Sequence, residues 1–234
     1  MLSLTEPIEI ATGPLQVHTW LVPLTGNKVF AVDPAACAFS HDGAALLDYL
    51  AQHALELVGI LLTHGHFDHV MGTRILKDAF PDCKIAVHAL DKGMAGSRAA
   101  QMQGVTLHEI GMGELTFALE NLPDADALLS GGETLDRVFL SEDADEALVN
   151  ALQAWQIIHT PGHTQGSLCA YNAAENILLS GDTLFYRTRG RTDLPGGSEQ
   201  EIQQSLRLLY QTIPPKTRIY PGHGKYGFPL EENF

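Results

Sequence analysis

The sequence predicts an α+β fold in which β-sheets pack together with helices outside. Short apolar runs of strand length come in consecutive groups with helical patterns between them, which suits layered sheets and helices. No repeat of fixed short period and no low-complexity linker breaks that order, and 234 residues fit one large domain or two small ones. Hydrophobic residues make up 45% of the chain and charged ones 18%, enough for a sizeable core and too apolar for disorder.

Residues 15–22 alternate in part and read as a strand. Residues 28–32 form a second apolar run, closed by Asp33-Pro34, where proline ends the strand and favours a turn. Ala45, Leu46, Tyr49 and Leu50 stand at helical spacing within 42–53, with Asp42 near the start. Residues 57–62 are continuously apolar, the pattern of a strand buried on both faces. A helix over 70–80, stopped by Pro81, and a strand over 84–88 follow. The stretch 93–123, rich in Met, Gly and Ala, has no clear period; it reads as a helix and loops lying over the histidine-rich loop after residue 62. A strand is expected at 135–140. The acidic run Ser141-Glu142-Asp143-Ala144-Asp145-Glu146 reads as a solvated turn. Strands are expected at 154–160, 168–171, 177–179 and 217–220. A helix over 198–210 opens on Ser198 and Glu201, the spacing of a capping box.

Charge and composition exclude several classes. With 28 acidic and 14 basic residues the formal charge is -14, and no Lys/Arg run offers the basic surface that nucleic acid requires. No stretch approaches the roughly 18 apolar residues of a membrane span. The first ten residues lack the basic-then-apolar pattern of a secretory signal. Cys37, Cys83 and Cys169 are odd in number and widely spaced, which argues against a disulfide framework and for small buried side chains. The expectation is a cytoplasmic protein with no nucleic-acid or membrane partner.

The chemistry concentrates at Thr63-His64-Gly65-His66-Phe67-Asp68-His69, directly after the buried strand. His64, His66, Asp68 and His69 put four imidazole or carboxylate groups within six residues. Such groups are costly to crowd together unless they bind something, and neutral imidazoles are natural metal ligands. Three later segments repeat the grammar of an apolar strand ending in His or Asp beside glycine: Thr160-Pro161-Gly162-His163-Thr164, Gly181-Asp182-Thr183-Leu184-Phe185 and Pro221-Gly222-His223-Gly224. Strand ends are where open α/β sheets collect ligands. Imidazole with carboxylate suits Zn, Fe or Mn, and no cysteine lies in the set.

These four segments, in this order, resemble the motifs of the metallo-β-lactamase superfamily. Within it the likeness is strongest to the glyoxalase II-like (hydroxyacylglutathione hydrolase-like) hydrolases, in their short single-domain form, since the sequence stops soon after the last motif. The resemblance implies a four-layer αββα sandwich with a metal pair at its edge. One divalent ion, zinc first with iron or manganese compatible, would take His64, His66 and His163. A second would take Asp68, His69 and His223, and Asp182 would bridge them. Two such ions share and activate a water, lower its pKa to about 7 and polarise a carbonyl. The implied activity is hydrolysis of a small-molecule thioester such as S-lactoylglutathione by a metal-bound hydroxide, with Asp68 and Asp182 as the catalytic carboxylates.

Arg187, Arg189 and Arg191 cluster after Asp182 in an otherwise acidic chain. By motif position Arg191 matches a basic residue that contacts glutathione in glyoxalase II, and Lys225 and Tyr226 fall where that family places further contacts; guanidinium grips carboxylate in bidentate fashion. Gly190-Arg191-Thr192-Asp193 also resembles persulfide dioxygenases, relatives with one iron held by residues matching His64, His163 and Asp182. The last motif has the hydrolase form and favours hydrolysis. A non-catalytic metal scaffold, an exported β-lactamase and an RNA-processing nuclease fit less well. His88, at a strand end, is a candidate supporting partner. His18, His41, His53, His108 and His159 read as surface or ordinary core residues, and Trp20 and Trp155 as core aromatics.

Overall fold

Alternation of side chains along each strand decides which layer every apolar residue joins. A computed structural model describes residues 6–140 and 144–233. Its first sheet takes β1 (Ile8–Thr12), β2 (Val17–Pro23), β3 (Lys28–Val32), β4 (Glu56–Leu61), β5 (Lys84–His88) and β6 (Ala127–Leu129) in chain order. The first three strands pair antiparallel and β3 to β6 pair parallel. The second half supplies β7 (Trp155–His159), β8 (Leu168–Asn172), β9 (Ile177–Gly181), the hairpin of β10 (Leu184–Phe185) and β11 (Thr188–Arg189), then β12 (Arg218–Pro221) and β13 (Phe228–Pro229). The second sheet runs β13-β12-β9-β8-β7. The helices are α1 (Ala45–Gln52), the single turn α2 (Phe67–Val70), α3 (Thr73–Ala79), α4 (Ala99–Glu109), the turn α5 (Asp136–Phe139), α6 (Glu146–Gln153) and α7 (Glu199–Thr212).

Three apolar clusters separate the layers. Leu21, Val29, Ala31, Ile60 and Ile85 point outward to Leu46 and Leu50 of α1, Leu76 of α3 and Leu107 of α4. Their strand neighbours Trp20, Val22, Phe30, Val32 and Leu61 point inward, against Trp155, Ile157, Leu168, Ala170 and Leu179 of the second sheet. Cys169, Leu178 and Ile219 face the other way, onto Leu206 and Leu209 of α7. The result is the four-layer αββα sandwich, and both tryptophans lie in its central layer. Period-two alternation of this kind buries alternate residues on opposite faces.

Several elements depart from expectation. Residues 135–140 form the helical turn α5 rather than a strand, because Leu135, Val138 and Phe139 bury at helical spacing. Gly59 opposite makes room: a Cβ there would lie 2.5 Å from the Phe139 ring. The expected helix over 70–80 is split into α2 and α3 at Gly72, whose N–H donates to Pro34 O at 2.8 Å. Of the acidic run, Ser141, Glu142 and Asp143 lie outside the described residues, while Asp145 caps α6 by accepting from Leu148 N–H at 2.8 Å. The capping box at α7 is half formed. Ser198 Oγ accepts from Glu201 N–H, but the Ser198 N–H donates to Gly162 O at 2.8 Å and ties the helix to a motif loop. The stretch 93–123 contains α4 and a 3₁₀ turn, Gly113–Leu119. β1 and β6, short and half-exposed, carry too weak an alternation to stand out in sequence. Among the described residues no helix is long and apolar enough to cross a membrane.

Phe30 is fully buried between the sheets, 5.4 Å from the Trp155 ring and 6.3 Å from that of Phe139. Phe30→Ala is expected to cost about 3–5 kcal/mol in urea unfolding; a loss below about 1 kcal/mol would contradict the central-layer assignment.

Candidate metal centre

Four strand ends deliver the motif side chains to one edge of the sandwich. β4 leads into His64, His66, Asp68 and His69, β7 into His163, β9 into Asp182 and β12 into His223. All are buried except His223, which is partly exposed. His66 Nδ1 and His163 Nε2 lie 2.8 Å apart, and His64 offers its ring to the same group. Asp68, His69 and His223 form a second group, with His69 Nε2 3.3 Å from His223 Nε2 and Asp68 Oδ2 3.4 Å from His223 Nε2. Asp182 spans the two: its Oδ2 is 3.5 Å from His163 Nε2, and its Oδ1 is 3.5 Å from His69 Nε2. The structure therefore brings together all seven side chains named from sequence.

The donors are oriented from behind. Thr63 Oγ1 donates to Asp33 Oδ2 at 2.6 Å and faces His64 Nδ1 at 3.1 Å, which turns His64 Nε2 inward. That nitrogen and Asp182 Oδ1 are buried without a hydrogen-bond partner among the described residues. His163 Nδ1–H donates to Arg191 O at 2.8 Å, leaving Nε2 for the site, and His69 Nδ1–H donates to Asp33 Oδ2 at 2.9 Å. Buried polar atoms of this kind are normally satisfied. Inward lone pairs on a mixed imidazole and carboxylate set fit a divalent cation. Two glycines make the approach possible. A Cβ on Gly222 would lie 2.3 Å from Asp182 Oδ1, and one on Gly190 would lie 1.9 Å from Asp182 O.

Electrostatics divides the cluster. Burial, with the other histidines, holds His64 well below the ordinary range, and burial with His163 pushes His66 down to about 3. Both are neutral lone-pair donors at pH 7. Burial opposes charge on Asp68 and Asp182, but the neighbouring histidines outweigh it, His69 foremost, and hold both carboxylates ionised. His69 is also penalised by burial, yet Asp182, Asp68 and Asp33 around it raise it well above the ordinary range. The His69 end is thus the more negative surrounding and draws positive charge.

Two aspartates outside the four motifs hold this arrangement. Asp33, whose sequence context is a strand-ending turn, is 1% exposed, has a positive φ and accepts from Thr63 N–H at 2.7 Å as well as from Thr63 Oγ1 and His69. Asp91 accepts from Gly65 N–H at 2.9 Å, Thr164 Oγ1 at 2.6 Å and Gly166 N–H at 2.8 Å, and so clamps the His64–His66 loop to the His163 loop. Gln103 of α4 accepts from Phe67 N–H and donates to Gly65 O, each at 2.9 Å, which fixes the 93–123 stretch over the site as expected. His18 contacts Glu9 and Gly224 O, binding β2 to the last motif. The usable signal for Asp33 and Asp91 was their position one and three residues past strands of the same sheet.

The side chains of the other candidates have partners of their own. Arg191 is bidentate to Asp193 at 2.7 and 2.8 Å and exposed. Lys225 pairs with Glu232 at 3.0 Å and sits over the Tyr186 ring, while Tyr226 packs on His18 and Trp20. His88 stacks on His159 at 4.0 Å rather than on a donor. All three cysteines are free and buried; burial pushes the Cys83 thiol up to about 12 and that of Cys169 to about 11.

The sequence profile of the Metallo-beta-lactamase superfamily matches residues 12–223. An uncharacterised protein of Mycobacterium leprae is 32% identical, over 91% of this chain and 88% of its own. A probable metallo-hydrolase of Bacillus subtilis is 27% identical over 91% and 87%. The hydroxyacylglutathione hydrolase of Ectopseudomonas mendocina is 31% identical over 88% of this chain, which spans 61% of that longer enzyme. Among solved structures, the B3 metallo-β-lactamase BLEG-1 matches with a TM-score of 0.78 and 25% identity over 97% and 95% of the two chains. TTHA1623, in a di-iron-bound form, matches with a TM-score of 0.70 and 28% identity over 96% of each.

Because the carboxylates around His69 favour its doubly protonated form while burial keeps His64 and His66 neutral, an ion that takes His69 Nε2 is expected to displace a proton. Calorimetric titration of metal in buffers of different ionisation enthalpy is expected to show that release; none at pH 7 would contradict it. Asp91→Asn replaces an acceptor by an amide that faces the donors of Gly65, Thr164 or Gly166. It is expected to weaken metal binding by about 10–100-fold, as loss of a supporting partner typically does, with circular dichroism unchanged; unaltered affinity would refute the clamp.

Proposed function

The chain belongs to the metallo-β-lactamase superfamily, and on that premise we propose that it is a metal-dependent hydrolase that cleaves a thioester such as S-lactoylglutathione. One observation carries the reading: Asp182 lies between two donor groups, 3.5 Å from His163 on one side and 3.5 Å from His69 on the other. His64, His66 and His163 would hold one divalent ion, Asp68, His69 and His223 a second, and Asp182 both, with zinc first and iron or manganese compatible with the same donors. Bound there, the ions supply carbonyl polarisation and a water acidified to a pKa of about 7.

The protein's own groups supply position and proton handling. Asp68, kept ionised beside His69 and His223, orients the attacking water and takes up its proton. The water oxygen bonds to the thioester carbonyl carbon, the carbon–sulfur bond breaks, and the departing thiolate receives a proton, giving acid and thiol. Asp33, through Thr63 and His69, and Asp91, through Gly65 and Thr164, keep the donors from rotating away. Arg191 and Lys225 lie exposed, each paired with an acidic neighbour on the surface, and either can exchange that partner for a carboxylate on the thiol portion of the substrate. Exposed pairs of this kind are weak enough to be exchanged.

A second reading, a mononuclear-iron persulfide dioxygenase, is favoured by the Gly190-Arg191-Thr192-Asp193 loop and by the face made of His64, His163 and Asp182. Against it, His69 and His223 stand 3.3 Å apart as a second set of donors. Protein loaded with Zn, Fe or Mn is expected to release free thiol from S-lactoylglutathione or a related thioester, and Asp182→Ala to lower kcat/KM by at least about 100-fold. No turnover with any of the three metals would sink the hydrolase reading. Oxygen uptake with glutathione persulfide and iron would establish the rival.

A further inference from the structure

Next to the donor cluster lies a pocket of about 320 Å³ that the hydrolytic chemistry does not use. His66 forms part of its wall, so it adjoins the candidate metal centre. The rest is chiefly apolar: Leu90, Met94, Met102, Ile110 and Leu194 contribute from the 90–110 stretch and from the loop that carries Arg191. Its lining contains no lysine or arginine. The one carboxylate in it, Asp91, has both oxygens occupied by Gly65, Thr164 and Gly166 donors, so it presents no free charge to a ligand. Gln103 is likewise turned onto the backbone of Gly65, Phe67 and Met94.

The exposure of the wall is unusual. Leu90 is 57% exposed, Met102 47% and Ile110 38%. Single exposed apolar side chains are ordinary, but several gathered round a concavity mark a binding surface. Methionine adapts its shape to a flexible apolar guest. Gly93 supports this wall, since a Cβ there would lie 2.5 Å from Met102 Sδ. The volume takes on the order of ten non-hydrogen atoms, counting about 30 Å³ for each group of water size. A lactoyl group, small and polar, would leave most of it unfilled.

We propose that this pocket is the acyl site of the enzyme and that its occupant is an unbranched apolar acyl chain of medium length, bound beside His66 so that the thioester carbonyl reaches the donor cluster. This rests on the hydrolase reading above and narrows it: the acyl group is long and apolar, and the polar contacts of the substrate fall on its thiol side.

Two series test the proposal with the purified protein. In the first, straight-chain carboxylates from butyrate to decanoate, standing for the acid product, are titrated against the protein and Kd is read by calorimetry. Kd is expected to fall about fourfold per methylene, the equivalent of about 0.8 kcal/mol, and to level off near ten heavy atoms. In the second, kcat/KM is measured for thioesters of one thiol with acyl chains of the same lengths, and is expected to rise with the same slope. Met102→Asp and Leu90→Asp, changes at exposed positions, are expected to flatten both slopes below twofold per methylene. Leu208→Asp, also at an exposed position, on α7 and outside the pocket, is expected to keep them. A Kd independent of chain length overturns the proposal even if short thioesters are hydrolysed, and the hydrolase reading then stands alone. A steep Kd series with no turnover of any thioester overturns the acyl assignment together with the hydrolase reading. A slope that follows the thiol's length and not the acyl chain's also overturns it.

Discussion

A carboxylate buried among imidazoles must be kept ionised and kept still, and the position of Asp182 is the constraint around which the rest of the molecule is arranged. It leaves the end of β9 through Gly181, whose φ is positive. It is approached by the backbones of Gly190 and Gly222 at distances no side chain would allow. Burial alone would drive a proton onto it; the histidines on both sides, His69 first, prevent this. Gathering seven polar side chains at one edge costs several kcal/mol in lost hydration unless they are paired or bind a cation. The three apolar layers supply the stability against which such a site can be maintained.

The two sheets divide the work. The first sheet and its loops carry His64, His66, Asp68 and His69 together with Asp33 and Asp91, which act on the donors through Thr63, Gly65 and Thr164. The second sheet carries His163, Asp182 and His223. The halves are locked together at the site itself: Leu168 N–H donates to Thr63 O at 2.8 Å, His18 N–H donates to Gly222 O at 2.8 Å, and Trp20 Nε1–H donates to Pro221 O at 3.1 Å. The donor geometry therefore depends on the packing between sheets and not on any one loop.

Much of this was legible in the amino-acid order because the signals are local. His64, His66, Asp68 and His69 lie within six residues, and each later motif sits beside glycine at a strand end, so pattern alone pointed to them. The central strands were legible because burial on both faces leaves a continuous apolar run at 57–62. What escaped depends on contacts distant in sequence. Asp33 reads as a turn before proline, and only the fold brings it to Thr63 and His69, 30 and 36 residues on. Asp91 meets Thr164 across 73 residues. The 93–123 stretch showed no period because the buried face of α4 carries Gln103, turned inward to hydrogen-bond the backbone, between Ala99 and Leu107. At residues 135–140 the pattern is ambiguous, because Leu135, Val138 and Phe139 are apolar at a spacing too short to separate a helical turn from a strand.

Asp182 stands between two donor groups, 3.5 Å from a histidine of each, and metal content shows whether they act as one centre. The most direct test is elemental analysis of metal per chain in the purified protein, compared with His223→Ala. Two ions per chain are expected in the unaltered protein, as for a paired site, and about one when His223 is removed. One ion per chain in both proteins, held without help from His223, would contradict a paired site.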